Sequence, residues 1–207
     1  MRLFHCHDAR SLRALWALEE MGLDYELTSL RFPPRLHHPD YLEINPLGTV
    51  PALVDGATVL TESAAICHYL ATLHGPTRLA VAETEAAYGD YLNWMYRSDA
   101  TLTFPQTLVL RYTRLEPPER RLPQVVEDYS IWFLSRLRCV ETAMEGREHL
   151  VADRFTMADV TVGYALFLGE TLGLSDRYKP NCQRYLASLK AREAFQRARA
   201  AGAEGDL

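Results

Sequence analysis

Basic clusters, long apolar runs and paired cysteines are all missing from this 207-residue chain. No apolar stretch approaches the ~20 residues a membrane span needs, so no membrane partner is expected. The 22 Lys and Arg against 27 Asp and Glu leave a net charge of −5. Without a basic run there is nothing to neutralise a phosphate backbone, which argues against nucleic acid. The four cysteines, Cys6, Cys67, Cys139 and Cys182, are scattered and form no C-x-x-C pair. None pairs with a histidine at zinc-ligand spacing, so no metal is expected. Scattered thiols suit a reducing cytosol, and a cytoplasmic protein is expected. The opening residues, Met1-Arg2-Leu3-Phe4-His5-Cys6-His7-Asp8, lack the apolar core of a secretory signal.

What is present has two characters. The first part alternates short strands with helices. Arg2 to Cys6 reads as a strand, and Leu12, Leu15, Trp16 and Leu18 recur at helical spacing over Ser11 to Met21, with Gly22 as a stop. Tyr25 to Leu30 reads as a second strand, and Phe32 to Pro39 as an irregular proline-rich loop. Ala52 to Asp55, the Asp55-Gly56 turn and Val59-Leu60 read as a hairpin, followed by a helix over Glu62 to Leu73. The order βαβ, ββ, α outlines a thioredoxin-like layer. After a linker at residues 78–82 only helical periodicity remains. Glu83 to Arg114 reads as one long helix that Pro105 should kink. Further helices are expected over Leu122 to Met144, Thr156 to Leu172, Cys182 to Leu189 and Ala194 to Ala200, with a frayed tail from Gly202 to Leu207. The domains are therefore drawn at 1–77 and 83–207, an α/β domain followed by an all-α domain.

Two short segments carry chemistry. An X-Pro bond such as Val50-Pro51 can be cis at small cost. In that form the N–H and C=O of Val50 turn outward and can pair with an extended peptide as with another strand. Most Val-Pro dipeptides are plain turns or strand starts. Here Thr61-Glu62-Ser63 follows eleven residues later, at a predicted helix N-terminus that favours an anion. Simple capping by Thr61 or Ser63 is the plainer account of that triplet alone.

Together the segments are more specific. Asn45-Pro46-x-Gly48-x-Val50-Pro51-Ala52-Leu53, then Glu62-Ser63-x-Ala65-Ile66-x-x-Tyr69-Leu70, closely resembles the glutathione-binding signature of cytosolic glutathione transferases. Phe155-Thr156-Met157-Ala158-Asp159-Val160 is similar to that family's capping box in its helical domain. The resemblance implies a homodimeric enzyme that attacks a small hydrophobic electrophile with the thiolate of glutathione, its co-substrate. It implies that Val50, beside Pro51, pairs with the cysteinyl backbone. Ser63 holds the γ-glutamyl carboxylate, and Glu62 helps place the ammonium. Asp99 would reach the same ammonium across a dimer interface. Where relatives carry a basic or amide side chain this chain has Thr49, so Arg35, His37 or His38 is left to meet the glycyl carboxylate.

The chemistry needs a group that favours thiolate. A free thiol has a pKa near 8.5, and lowering it by ~2 units takes ~2.7 kcal/mol of selective anion stabilisation. A hydroxyl at the start of the first helix could supply it, and Ser11 is the candidate donor, with Arg10 as a neighbouring cation. An ungapped match to Beta-class members sets their reactive cysteine at Arg10 and their adjacent serine at Ser11, so the catalytic cysteine is absent. Trp94, Arg97, Phe104 and Tyr112 are candidates to line the second-substrate site, although aromatics at helical spacing more often build core. Two alternatives stand beside transfer: another glutathione enzyme on the same frame (isomerase, dehalogenase or disulfide reductase), and a non-enzymatic partner-binding relative.

Overall fold

The computed structural model describes residues 1–203. Among these, two compact units form: residues 1–80 together with 190–203, and residues 81–189. The expected tail from Gly202 falls largely outside the described residues.

The first unit is built on a four-stranded sheet. Its strands are β1 (Arg2–His5), β2 (Glu26–Ser29), β3 (Ala52–Asp55) and β4 (Thr58–Leu60), in the order β2-β1-β3-β4. β1 and β2 are parallel, because α1 (Leu12–Met21) carries the chain across between them; β1–β3 and β3–β4 are antiparallel. Leu12, Ala14, Leu15, Trp16, Ala17 and Leu18 are all buried, so this helix shows almost no solvent face. The proline-rich loop contains one four-residue turn, α2 (Pro34–His37), and a 3-10 turn at Pro39–Glu43. α3 (Ser63–Leu73) buries Ile66, Cys67, Leu70 and Ala71. The thioredoxin-like layer expected from the sequence is present.

The second unit is helical throughout. α4 (Tyr88–Arg97) starts later than the sequence suggests, since residues 83–87 form turns in which Glu85 accepts from the Ala82 N–H at 2.8 Å and pairs with Arg154 at 2.8 Å. The expected kink at Pro105 takes the form of a π-helical stretch, Ser98–Thr103, ahead of α5 (Phe104–Leu110). Proline removes a donor, and a widened turn leaves carbonyls to other partners. Thr103 Oγ1 donates to Ser98 O at 2.7 Å and Gln106 Nε2 to Leu102 O at 3.0 Å. A second π stretch, Arg111–Leu115, leads on to α6 (Pro123–Arg136), α7 (Arg138–Ala143), α8 (Met157–Thr171) and α9 (Pro180–Lys190). Residues 157–169 of α8 are all buried, which makes it the axis of this unit.

The last helix, α10 (Glu193–Ala203), belongs with the sheet unit instead of closing the helical domain drawn at 83–207. It buries Ala194, Phe195 and Ala198, and the Phe195 ring meets Trp16 edge-on at 4.9 Å. Arg192 grips Glu20 with two hydrogen bonds, at 2.6 and 2.8 Å. Among the described residues no helix is long and apolar enough to cross a membrane.

Candidate functional site

Two sheet registers converge on Val50. The β3–β4 ladder pairs Leu53 with Leu60. Continued to residue 50, it sets Pro51 opposite Glu62 and Val50 opposite Ser63. The β1–β3 ladder pairs Phe4 with Ala52, and continued likewise it sets Cys6 opposite Val50. Both ladders stop short of these positions, so neither carries a ladder bond to Val50. The Val50–Pro51 peptide is cis. Among the described residues no hydrogen bond joins the main chain of Val50 to another residue. An unmet N–H and C=O on a half-buried strand end is the arrangement that accepts a peptide as an added strand.

The turn before Val50 is held from behind. Tyr41 Oη and Asn45 Nδ2 both donate to the Thr49 carbonyl, each at 2.7 Å. Gly48 has φ +59°, and a Cβ there would lie 2.6 Å from the Arg35 Cβ, so only glycine fits against α2. This contact fixes Arg35 beside the turn with its side chain exposed. His38 is engaged elsewhere: its Nε2 accepts the Arg31 N–H at 2.9 Å. His37 is exposed at the end of α2.

At α3 the side chain of Ser63 is buried, and its Oγ accepts from Arg13 Nη1 at 2.9 Å. Its own hydrogen is thereby left to donate. Glu62 is exposed in extended conformation just ahead of the helix, and its carboxylate makes no cap. On the opposite side, Ser11 departs from its expected part. Its hydroxyl is wholly buried, accepts from the Cys6 N–H at 3.2 Å and donates to the Cys6 carbonyl at 3.3 Å. A hydroxyl has one hydrogen, and here it serves the β1–α1 loop. Ser11 therefore holds the loop's shape, and direct donation to a thiol is not what this geometry offers. It makes no side-chain cap of α1 either. Arg10 is half-buried in the same loop. Ser11→Ala is expected to cost about 1–2 kcal/mol of stability through the two lost bonds. Activity in the folded fraction should fall less than about tenfold; a loss beyond a hundredfold in kcat would put the hydroxyl on the reacting sulfur after all.

Residues 9–73 match the family model described as the glutathione S-transferase N-terminal domain. A curated relative, glutathione S-transferase 1 of Zea mays, is 31% identical over 192 residues, covering 89% of this chain and 88% of the relative. The chain belongs to the glutathione S-transferase family. The fold agrees. The structure of BphK, a bacterial transferase solved as a ternary complex, has a TM-score of 0.85 at 26% identity, covering 98% of this chain and 99% of that one. A sphingomonad transferase complexed with glutathione has a TM-score of 0.86 at 25% identity, covering 99% of this chain and 100% of that one.

In this transferase the remaining expected residues lie in the helical unit. Trp94 is buried on α4, with the Arg97 guanidinium over its ring at 4.6 Å from the centroid. Phe104 is half exposed at the head of α5, and Tyr112, in the second π stretch, carries Arg111 over its ring at 5.5 Å. Asp99 is half-buried in the first π stretch. Sequence reasoning missed Arg13 and His5, both wholly buried. The signal for Arg13 was there: a lone cation inside Leu12-Arg13-Ala14-Leu15-Trp16-Ala17-Leu18, a segment otherwise apolar on every face.

Proposed function

We propose that the chain catalyses transfer of glutathione to a small hydrophobic electrophile. The observation that carries this is the open main chain of Val50, set by both sheet registers between Cys6 and Ser63. Glutathione is an extended peptide with an anion at each end. Val50 pairs with its cysteinyl N–H and C=O beside Pro51. The γ-glutamyl carboxylate meets the Ser63 hydroxyl and the first N–H groups of α3, where the helix dipole favours an anion. Glu62 faces the ammonium. Arg35, fixed beside Gly48, is the cation for the glycyl carboxylate, because His38 Nε2 already accepts a main-chain N–H.

The thiol then faces the β1–α1 loop. Arg10 supplies positive charge there, and Ser11 keeps the loop in place through Cys6. Attack by thiolate on an electrophilic carbon forms the C–S bond and expels the leaving group. The absence of a cysteine at Arg10 disfavours a reductase cycling through a protein mixed disulfide. Trp94, Arg97, Phe104 and Tyr112 supply apolar and cationic contacts for the electrophile. The working form is a cytoplasmic homodimer in which Asp99 reaches the partner's ligand, a state that sedimentation measures directly.

Calorimetric titration with glutathione tests the reading. Wild type should bind, and Ser63→Ala should weaken binding about tenfold to a hundredfold, the range for one charge-assisted hydrogen bond. Conjugation of a chlorodinitrobenzene should follow the same order. A wild type that takes up no glutathione and gains no thermal stability from it ends the proposal.

A further inference from the structure

Arg13 is among the largest fully buried side chains of the protein, at 0% exposure. Taking a guanidinium out of water is costly unless it is paired. It is the second residue of α1, and its Nη1 donates to Ser63 Oγ at 2.9 Å, joining α1 to the first residue of α3, 50 positions away in sequence. Two further features fix this junction. Cys67, one turn along α3, donates its thiol hydrogen to the Arg13 carbonyl at 3.5 Å. Both its Sγ and the Ser63 side chain are buried, so neither helix can slide without breaking buried contacts.

The direction of the bond matters. A guanidinium only donates, so Ser63 Oγ must accept from it. The hydroxyl hydrogen is then excluded from pointing at α1 and is left for an acceptor on the open side of α3. The accepted bond from a cation also polarises the O–H and strengthens whatever bond it donates. The positive charge lies behind Ser63 in a fully buried position, where it is screened less than a surface cation. It adds to the helix N-terminus without touching the ligand.

We infer that Arg13 is a positioning residue for the γ-glutamyl carboxylate, acting through Ser63 as a buried relay that aims and polarises the hydroxyl. The inference rests on the glutathione reading above and deepens it. It predicts selectivity for ligands that carry that carboxylate, a property the ligand itself can report.

The test compares two peptides by calorimetry: glutathione, and the analogue 4-aminobutyryl-cysteinylglycine, which lacks only the α-carboxylate. In wild type the carboxylate should improve affinity at least tenfold. Arg13→Met should lose about tenfold for glutathione and less than twofold for the analogue, the size of one charge-assisted bond. Arg13→Gln keeps an N–H donor without the charge and should lose about threefold to fivefold, again for glutathione alone. The loss should appear in KM for glutathione with kcat at saturation nearly unchanged. If the methionine variant does not fold, the glutamine variant gives the same comparison. An equal loss for both peptides assigns Arg13 a merely structural part and overturns the inference, as does no loss for either. A wild type that binds neither peptide removes the glutathione reading, and this inference with it. A wild type that binds glutathione, with Ser63→Ala weakened and the Arg13 variants unchanged, removes the inference alone.

Discussion

Asp159→Ala should lower the unfolding free energy of the helical unit by about 3–5 kcal/mol, the largest effect expected of any single polar substitution here. Asp159 is wholly buried at the third position of α8. Its carboxylate accepts from the Thr156 N–H at 2.8 Å, completing the capping box, and from the Leu150 N–H at 3.0 Å. It also accepts the Tyr185 hydroxyl, at 2.6 Å from α9. One side chain therefore ties the start of the central helix to the preceding loop and to a second helix. A cap alone is worth about 1 kcal/mol. Removal also leaves two buried N–H groups and the buried hydroxyls of Tyr185 and Thr156 without this acceptor, each costing about 1–3 kcal/mol before water and rotation relieve part of it. Thr156→Ala removes the acceptor of the Ala158 N–H, at 3.3 Å, and one donor to the Asp159 carboxylate, at 3.2 Å, while the bonds from Leu150 and Tyr185 to that carboxylate stay, and it should cost about 1–2 kcal/mol. Urea denaturation followed by circular dichroism distinguishes the two through their midpoints at similar slope. Equal effects from both substitutions would show that the box acts only as a cap and that the ties to Leu150 and Tyr185 contribute little.

That network also marks what a sequence shows and what it hides. Thr156 with Asp159 three residues later is a local pattern, so the box was legible; Tyr185, 26 positions on, was not. The same division runs through the site proposed for glutathione. Val50-Pro51 and Glu62-Ser63 are each contiguous, and the Asp55-Gly56 turn fixes the ladder that sets them opposite one another. A period-2 register and a tight turn suffice to bring such residues together. Hydrogen-bond commitments do not follow from residue type. Ser11 looked like a free donor because its partners are main-chain atoms of Cys6, revealed only once the loop closes. His38 looked like a free cation until Arg31 offered it an N–H. The destination of α10 was hidden as well. Its apolar stripe of Ala194, Phe195 and Ala198 would suit many surfaces. The choice is made by partners far back in the chain: Trp16, Glu19 and Glu20 on α1 and Asp8 in the loop before it. The π stretches escaped for a related reason, since a proline announces a disturbance in a helix and the neighbouring side chains decide its form.

His5 is the other group whose buried state should dominate a measurement. It ends β1 at 0% exposure, and neither ring nitrogen has a hydrogen-bond partner among the described residues. Gly202 of α10 lies so close that a Cβ there would come within 2.5 Å of Nε2, which leaves no room for a bridging water on that side. Burial, with a smaller contribution from His7, lowers its pKa from 6.5 to about 4. The folded protein thus refuses a proton that the unfolded chain accepts. Between pH 6.5 and 4 the unfolded state binds more protons, so stability rises with pH across this window and falls as the solution is acidified. The cost is absent above pH 6.5, grows on the way down and levels off below pH 4, where it reaches about 3 kcal/mol. Carboxylates held low by partners, such as Asp55 beside His74 and Glu85 beside Arg154, add their own losses at the acid end. His5→Leu separates the two sources. An apolar side chain of similar size loses no hydrogen bond, so stability at pH 7.5 should be unchanged or raised by about 1 kcal/mol. The difference between variant and wild type should then widen steadily from pH 6.5 to 4.5 in urea midpoints, with α10 the segment whose amide exchange accelerates first. Parallel pH profiles for the two proteins would show that His5 stays uncharged in the unfolded chain too, or takes its proton without leaving the fold, and either result overturns the argument.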